Sequence, residues 1–179
     1  SSFTEEVFPE IKKAVERGIN VITIAEEMAY AYAGNKKLAE EIDNMALKNS
    51  VTVLGTGINP GFILDTMILL LSGAVKSVKK IEAARINDLS PFGPTVMRTQ
   101  GVGSTEEEFN EGIKEGKIVG HIGFKESISL IADKLGWELD EIREEREPII
   151  AKKERKSKYI TVKEGMAAGC KHTAAGIVD

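Results

Sequence analysis

The first 60 residues alternate between helical and strand-like spacing of hydrophobic positions. Asn20–Ile24 and Val51–Leu54 are short, apolar and β-prone, which is typical of buried strands. Lys36–Lys48 has the spacing of an amphipathic helix. An earlier helix is predicted to start at Thr4, Glu5 and Glu6, to begin its regular part at Pro9 and to end at Gly18. Helices alternating with short strands favour parallel packing. We therefore expect an α/β fold containing the second half of a doubly wound Rossmann-type parallel sheet.

The pattern changes after residue 72. Val78–Asn87 predicts a longer strand, and Ser104 with Glu107 predicts a capping box at the start of a helix. A second amphipathic helix is predicted from Phe124 to Leu135. Three further strands are expected at residues 138–151, 157–163 and 167–178. This order is typical of an α+β domain with a mostly antiparallel sheet.

Two domains follow from this division of the chain. Residues 1–60 are expected to form the C-terminal part of a Rossmann-type domain. Residues 61–179 are expected to form the α+β domain, which is truncated at its end. Ser1 stands just before a helix with no strand ahead of it, and the chain stops inside a predicted strand. We therefore expect a portion of a longer protein.

Composition narrows the classes of partner. The net charge of 24 − 28 = −4 indicates no overall attraction to nucleic acid or to anionic membranes. Cys170 is a single cysteine, which excludes an internal disulfide and fits a reducing compartment. The apolar run Phe62–Leu71 is shorter than the about 20 residues that span a bilayer. A cytoplasmic protein with no nucleic-acid or membrane partner is expected, and the basic run Lys152–Lys158 is interpreted as a solvated hairpin tip.

The segment Val51–Phe62, V-T-V-L-G-T-G-I-N-P-G-F, has the order strand, glycine-rich turn, helix that presents backbone N–H groups to ligands. It does not match the dinucleotide fingerprint G-x-G-x-x-G, because Pro60 occupies the third glycine position and Gly61 follows one place late. The turn is compatible with two interpretations. Either Asn59 and the neighbouring backbone face a flat ligand ring, or Asn59 only satisfies local backbone groups.

Candidate chemical groups are few. Glu26 and Glu27 follow the first predicted strand, where a carboxylate can bind a cation or act as a general base. The plainer alternative, which the residues alone favour, is that both simply charge the first turn of a helix. His172 shares a strand face with Cys170 and is more often structural than catalytic in such a position. His121 has no ligand partner at metal spacing, so no metal site is expected.

Several stretches together resemble the 2,4-diaminopentanoate dehydrogenase family. This family is related to dihydrodipicolinate reductase-like proteins and to native amine dehydrogenases. The resemblance runs through nearly the whole chain and rests on Ser1–Phe3, Ile24–Tyr30, Val51–Phe62 with Asp65, Ile81–Asp88, Gly123–Ile128 and Ala168–Ala174.

The resemblance implies an NAD(P)-binding Rossmann domain, a substrate domain that also forms a homodimer, and reversible oxidative deamination of an amine or diamino acid. It places Ser1 and Ser2 near the nicotinamide end of NAD or NADP. It places Asn59, Pro60 and Gly61 at the domain junction near the same ring.

By the same resemblance Glu26 or Glu27 is the acid/base. His172 is a substrate-binding candidate from its place on a strand of small residues, which lets a ligand approach closely. The glycine fingerprint for the pyrophosphate is absent from the chain, and so are the paired histidines and nearby lysine associated with dihydrodipicolinate reductase. The alternative hypothesis is a non-catalytic α+β dimerisation or small-ligand sensing module that retains the fold.

Overall fold

The computed structural model describes residues 1–178. That part of the chain contains seven α-helices, one 3₁₀ turn and six strands. In chain order these are α1 (Thr4–Val15), β1 (Val21–Thr23), the 3₁₀ turn (Glu26–Tyr30), α2 (Ala31–Gly34), α3 (Lys36–Lys48), β2 (Val53–Gly55), α4 (Thr66–Ser72), α5 (Pro94–Thr99), α6 (Glu106–Lys114), α7 (Phe124–Leu135), β3 (Glu141–Ile150), β4 (Arg155–Lys156), β5 (Thr161–Val162) and β6 (Ala167–Ile177).

The chain divides into two compact units. The first comprises residues 1–84, 122–142 and 175–179, and the second comprises residues 85–121 and 143–174. Within residues 1–178, no helix combines the length and the apolar character needed to cross a membrane.

The first unit is organised by a small parallel sheet. β1 pairs with β2 in parallel, with Val21 opposite Val53 and Thr23 opposite Gly55. Its core contains Val15 from α1 and Ile42 from α3, so both helices cover one face of the strands. Short apolar strands that alternate with amphipathic helices pack in this way because each helix buries its apolar face against the sheet. The small parallel sheet and the α/β class are thereby confirmed.

α1 begins where Thr4, Glu5 and Glu6 predict a helix start. The helix starts at Thr4, and Pro9 lies inside it rather than at its first turn. The Thr4 N–H donates to the carboxylate of Glu27 at 2.7 Å, an acceptor 23 residues further along the chain. The predicted start at Thr4 is confirmed, whereas the prediction that the regular part of the helix begins only at Pro9 was wrong. Gly18 follows the helix with φ +70°, the left-handed geometry expected at a helix end.

The strand predicted at Val78–Asn87 was wrong. These residues form no strand and no helix, and most of their side chains are exposed. Ile86, the extreme case, is 96% exposed. Alternating β-prone residues form a strand only where a neighbouring strand supplies hydrogen-bond partners, and residues 1–178 place none beside this segment.

The capping box that opens α6 lies one residue later than predicted. The Thr105 hydroxyl oxygen accepts the Glu108 N–H at 3.2 Å, and the Glu108 carboxylate accepts the Thr105 N–H at 2.8 Å. The Ser104 hydroxyl donates instead to the carbonyl of Gly101 at 2.7 Å. Ser104 and Thr105 both fit the motif, since each is followed three residues later by Glu, and the packing of the loop decides between them.

The second half of the chain forms antiparallel pairs, as expected. β3 and β6 pair, and the Asp140 N–H donates to Ile177 O at 2.9 Å at one end of the pair. At the other end the Ala151 N–H donates to Met166 O at 2.8 Å, which sets the antiparallel direction. The buried core of the second unit contains Phe109, which is fully buried.

The strand predicted over residues 157–163 is divided into a short hairpin. β4 and β5 are antiparallel, with Arg155 opposite Val162, and the Ser157 N–H donates to Ile160 O at 2.9 Å across the turn. The Ser157 hydroxyl also accepts the Ile160 N–H at 3.2 Å. These local side-chain bonds compete with a continuous ladder and close the turn. The basic run Lys152–Lys158 therefore contains β4 and the start of this turn.

Candidate functional site

The ends of β1 and β2 bring two of the predicted groups together. The 3₁₀ turn that contains Glu26 and Glu27 follows β1, and the glycine-rich turn Gly57–Gly61 follows β2. A Cβ atom on Gly55 would lie only 1.7 Å from the carbonyl oxygen of Met28, so the two segments are in direct backbone contact. The C-terminal ends of parallel strands are the usual ligand edge of an α/β sheet. All of these residues belong to the first unit.

Glu27 is held by the N-terminal segment of the chain. Its backbone N–H donates to Ser2 O at 3.0 Å, and its carboxylate accepts the Thr4 N–H at 2.7 Å. These two hydrogen bonds place Ser2 beside Glu27. The Ser1 hydroxyl donates instead to the carboxylate of Glu6. Glu27 therefore caps α1, and this contact occupies one of the two carboxylate oxygens of Glu27.

Glu26 differs from Glu27 in having its carboxylate uncommitted. The residue is half-buried, and within residues 1–178 its carboxylate makes no hydrogen bond and no ion pair. A carboxylate in this state can accept a proton or orient an ammonium group without first breaking a protein contact.

A third carboxylate near this edge was not singled out from the sequence. Glu126, in the first turn of α7, is only 5% exposed. A Cβ atom on Gly34 would lie 3.7 Å from Glu126 Oε1 and 3.8 Å from Glu27 Oε1, so the two carboxylates flank the same glycine. The sequence around Glu126 is that of an ordinary amphipathic helix, so no local signal singles this residue out.

The turn after β2 is closed by its glycines. A Cβ atom on Gly57 would lie 2.6 Å from Pro60 O, and one on Gly61 would lie 2.3 Å from Gly57 N. The Asn59–Pro60 peptide is cis, and Pro60 is buried against Gly123, where a Cβ atom would lie 2.4 Å from the ring. The predicted Asn59–Pro60–Gly61 group thus forms one compact turn with no space for larger side chains.

Asp65 holds this turn in place through its carboxylate. Like Glu126, it was given no role of its own by the sequence. It is fully buried, and its Oδ2 accepts the Gly61 N–H at 2.7 Å and the Ser127 hydroxyl at 2.8 Å. Its Oδ1 accepts the N–H of Thr66, the first residue of α4. The available sequence signal was an acidic residue inside the apolar run Phe62–Leu71.

The polar groups at this edge are of types that suit the nicotinamide end of a dinucleotide and an amine beside it. Asn59 Oδ1 is buried at this edge, and an amide oxygen is an acceptor of the kind that suits a carboxamide N–H. Glu26 adds a carboxylate for an ammonium group. The turn lacks the glycine spacing of a pyrophosphate site, so these residues fit the ring and not the phosphates. No trio of His, Cys, Asp or Glu in residues 1–178 is grouped for a metal ion.

His172 lies in the second unit, among partners of its own. Its Nδ1 accepts the His121 N–H at 3.0 Å, which places the ring proton on Nε2, 3.1 Å from Glu144 Oε2. Arg146 donates to the same Glu144 oxygen at 3.0 Å and to Val119 O at 3.0 Å. Burial, followed by the charge of Arg146, lowers the pKa of His172, while Glu144 opposes the shift.

The lowered pKa of His172 predicts a loss of stability in acid. The folded state favours the neutral ring, so its contribution is complete above the ordinary histidine pKa of about 6.5 and is lost as the pH falls below it. Urea unfolding between pH 8 and pH 5 is expected to show this decline. His172→Gln, which cannot titrate, should have a shallower decline than the wild type over the same range. Equal slopes in the two proteins would contradict the assignment.

Two known proteins are similar to the chain over its whole length. The 2,4-diaminopentanoate dehydrogenase of Acetoanaerobium sticklandii is 51% identical over 179 residues, which cover 99% of this chain and 51% of that protein. The chain therefore spans about half the length of this relative. The solved structure of an amine dehydrogenase from Mycobacterium smegmatis matches with a TM-score of 0.73 at 23% identity, over 99% of this chain and 53% of that one, and shows the fold.

A match to a protein-family model shows the family to which the chain belongs. The model of the 2,4-diaminopentanoate dehydrogenase C-terminal domain matches residues 62–179, which is more than half of the chain. The matched region begins directly after the Asn59–Pro60–Gly61 turn and includes Asp65 and all of α7. The chain therefore belongs to the 2,4-diaminopentanoate dehydrogenase family.

Proposed function

We propose that the protein carrying this chain is an NAD- or NADP-dependent dehydrogenase that deaminates an amine or diamino acid oxidatively and reversibly. Its substrate class resembles 2,4-diaminopentanoate, the compound named in the identified relative. The observation that carries the proposal is the Glu26 carboxylate at the sheet edge, which makes no hydrogen bond and no ion pair within residues 1–178. Glu26 lies on the 3₁₀ turn whose Met28 contacts Gly55, and Gly55 is the last residue of β2 before the Gly57–Gly61 turn. The name of the relative favours turnover over the alternative of a sensing module.

The proposed roles follow from the contacts of each carboxylate. Glu26 orients the substrate amine, accepts the proton that the amine loses and releases it to solvent. The carboxylate so regenerated then activates the water that attacks the imine carbon. Glu27 keeps α1 and Ser2 in place. The nicotinamide, when bound, supplies the acceptor for the hydride of the amine carbon. In balance, amine, oxidised nucleotide and water give ketone, ammonia, reduced nucleotide and one proton.

Charge at this edge favours a cationic substrate. Glu26, Glu27 and Glu126 all lie on the 3₁₀ turn or on the first turn of α7, and Glu27 and Glu126 flank the same glycine. Carboxylates that are partly removed from water interact more strongly with an ammonium group than exposed ones do. The arrangement therefore supports a substrate that approaches in its ammonium form.

We further propose that β1 and β2 are two strands of a larger doubly wound sheet. Ile22, Ile24 and Leu54 are 73%, 78% and 49% exposed on the face that the core helices leave uncovered. Parallel sheets in α/β proteins are covered on both faces, so these side chains support further elements on that side. The match that begins at residue 62 supports domains at 1–60 and 61–179. A homodimer built by the second domain remains part of the proposal on the family resemblance.

The proposal is tested by assaying the protein at its full natural length. We expect 2,4-diaminopentanoate or a close diamino acid to drive reduction of NAD⁺ or NADP⁺, and the reverse reaction to require ammonium. tert-Butylamine is a suitable control because its amine carbon carries no hydrogen to transfer. Binding of diamino acids without any nucleotide reduction would contradict the proposal and would support the sensing module instead.

A further inference from the structure

We propose that Asp65 and Ser127 are positioning residues, which hold the Asn59–Pro60–Gly61 turn against the nicotinamide end of the cofactor. The inference rests on the proposed function. It begins from the Asp65 carboxylate, which is fully buried and accepts three hydrogen bonds from three separate places. The donors are the turn, the first N–H of α4 and the hydroxyl of Ser127 on α7.

Both backbone polar groups of Gly61 are hydrogen-bonded to side chains. Its N–H donates to Asp65 Oδ2 at 2.7 Å, and its carbonyl accepts the Thr66 hydroxyl at 3.1 Å. Gly61 has φ +114°, and a Cβ atom there would lie 2.3 Å from Gly57 N. A turn packed this closely moves as a unit, so a shift of its anchor displaces Asn59 as well.

The same turn of α7 reaches both halves of the proposed site. Ser127 donates to Asp65 at 2.8 Å, while the preceding residue, Glu126, flanks Gly34 together with Glu27. Gly123, at the start of α7, packs on the ring of Pro60. One rigid helical turn therefore sets the distance between the carboxylate edge and the Asn59–Pro60–Gly61 turn.

The buried position of these groups indicates specificity of geometry rather than a gain in stability. Asp65 is fully buried and Ser127 is 3% exposed, and removal of a carboxylate from water is costly even when it is hydrogen-bonded. Apolar residues of the same volume fill such a space at a lower cost. A carboxylate with three donors fixes directions that an apolar contact does not fix.

The test variant is Ser127→Ala in the full-length protein, which leaves Asp65 its two backbone donors. Hydride transfer in single turnover is expected to slow by roughly 10- to 100-fold, since a small misplacement of a reacting group has effects of this size. Saturation-transfer NMR with NAD(P)H should show weaker nicotinamide signals relative to adenine signals. Ser127→Thr retains the hydroxyl and should restore both. Ser72→Ala is the matched control, because the Ser72 hydroxyl donates at 2.7 Å only within α4.

Two results would overturn the inference. One is an unchanged ratio of nicotinamide to adenine signals together with an unchanged transfer rate. The other is an equal loss at both ends of the cofactor with a lower melting temperature, which is a structural role alone. If Ser127→Ala does not fold, Thr66→Val tests the same turn from its carbonyl side. Absence of amine oxidation in the wild type would refute the proposed function instead, while the NMR ratio would still report on the positioning role.

Discussion

Glu26→Gln is expected to lower amine-dependent reduction of the nucleotide by about 10²- to 10⁴-fold, the range that a general acid/base contributes. The glutamine keeps the size of the side chain but accepts no proton at neutral pH. Within residues 1–178 the Glu26 carboxylate bonds to nothing, so the replacement should leave the folded structure intact. Circular dichroism and the melting temperature should therefore be unchanged while steady-state turnover falls.

Glu27 offers the matched comparison at the adjacent position. In Glu27→Gln the side-chain oxygen still accepts the Thr4 N–H, so stability and most of the activity should be retained. Glu27→Ala removes the cap and is expected to lower the free energy of unfolding by about 1 kcal/mol, as for other helix caps. If Glu27→Gln abolishes turnover and Glu26→Gln does not, the two roles are reversed.

Sequence patterns were sufficient wherever local signals decided the structure. α3 has the bounds Lys36–Lys48 that its spacing predicts, and α7 ends before Gly136, which adopts φ +69°. β1 lies within its predicted segment, β2 extends one residue beyond its own, to Gly55, and β6 places Cys170 and His172 on its less exposed face. Apolar periodicity and glycine stops depend on neighbours within one or two turns, so they can be read from the chain alone.

Other features depend on partners that are distant in sequence. Glu27, 23 residues later, accepts the Thr4 N–H at the start of α1, and Ser127, 62 residues later, donates to the buried carboxylate of Asp65. The segment 78–87 has the composition of a strand but has no strand beside it among residues 1–178. Such pairings are set by tertiary packing, and local propensity carries no information about them.

The candidate site shows the same division. The motif after β2 identified the Asn59–Pro60–Gly61 turn, and the position after β1 identified the glutamate pair. The difference between Glu26 and Glu27 required coordinates, because it depends on which carboxylate meets the Thr4 N–H. Glu126 and Ser127 enter the site only through the packing of α7, and their sequence context is that of an ordinary amphipathic helix.

Gly55→Ala is expected to have the largest effect on stability, with a loss above about 4 kcal/mol, the range reserved for severe core disruption. The added Cβ would lie 1.7 Å from Met28 O and 2.2 Å from Met28 C, and backbone atoms in a paired strand and a packed turn cannot move aside. The change would separate the ends of β1 and β2, so turnover should be lost as well. Urea unfolding measures the effect.

Gly73→Ala in the same unit is the control for this prediction. Gly73 has an ordinary right-handed helical backbone at the end of α4, and an added Cβ would meet only Leu70 O at 3.4 Å. Alanine also restricts the unfolded chain, so this variant should equal the wild type or exceed it by up to about 1 kcal/mol. A Gly55→Ala protein as stable as Gly73→Ala would mean that the 3₁₀ turn does not pack on β2. The proposed edge, at which the 3₁₀ turn that contains Glu26 packs on the end of β2, would then lose its structural basis.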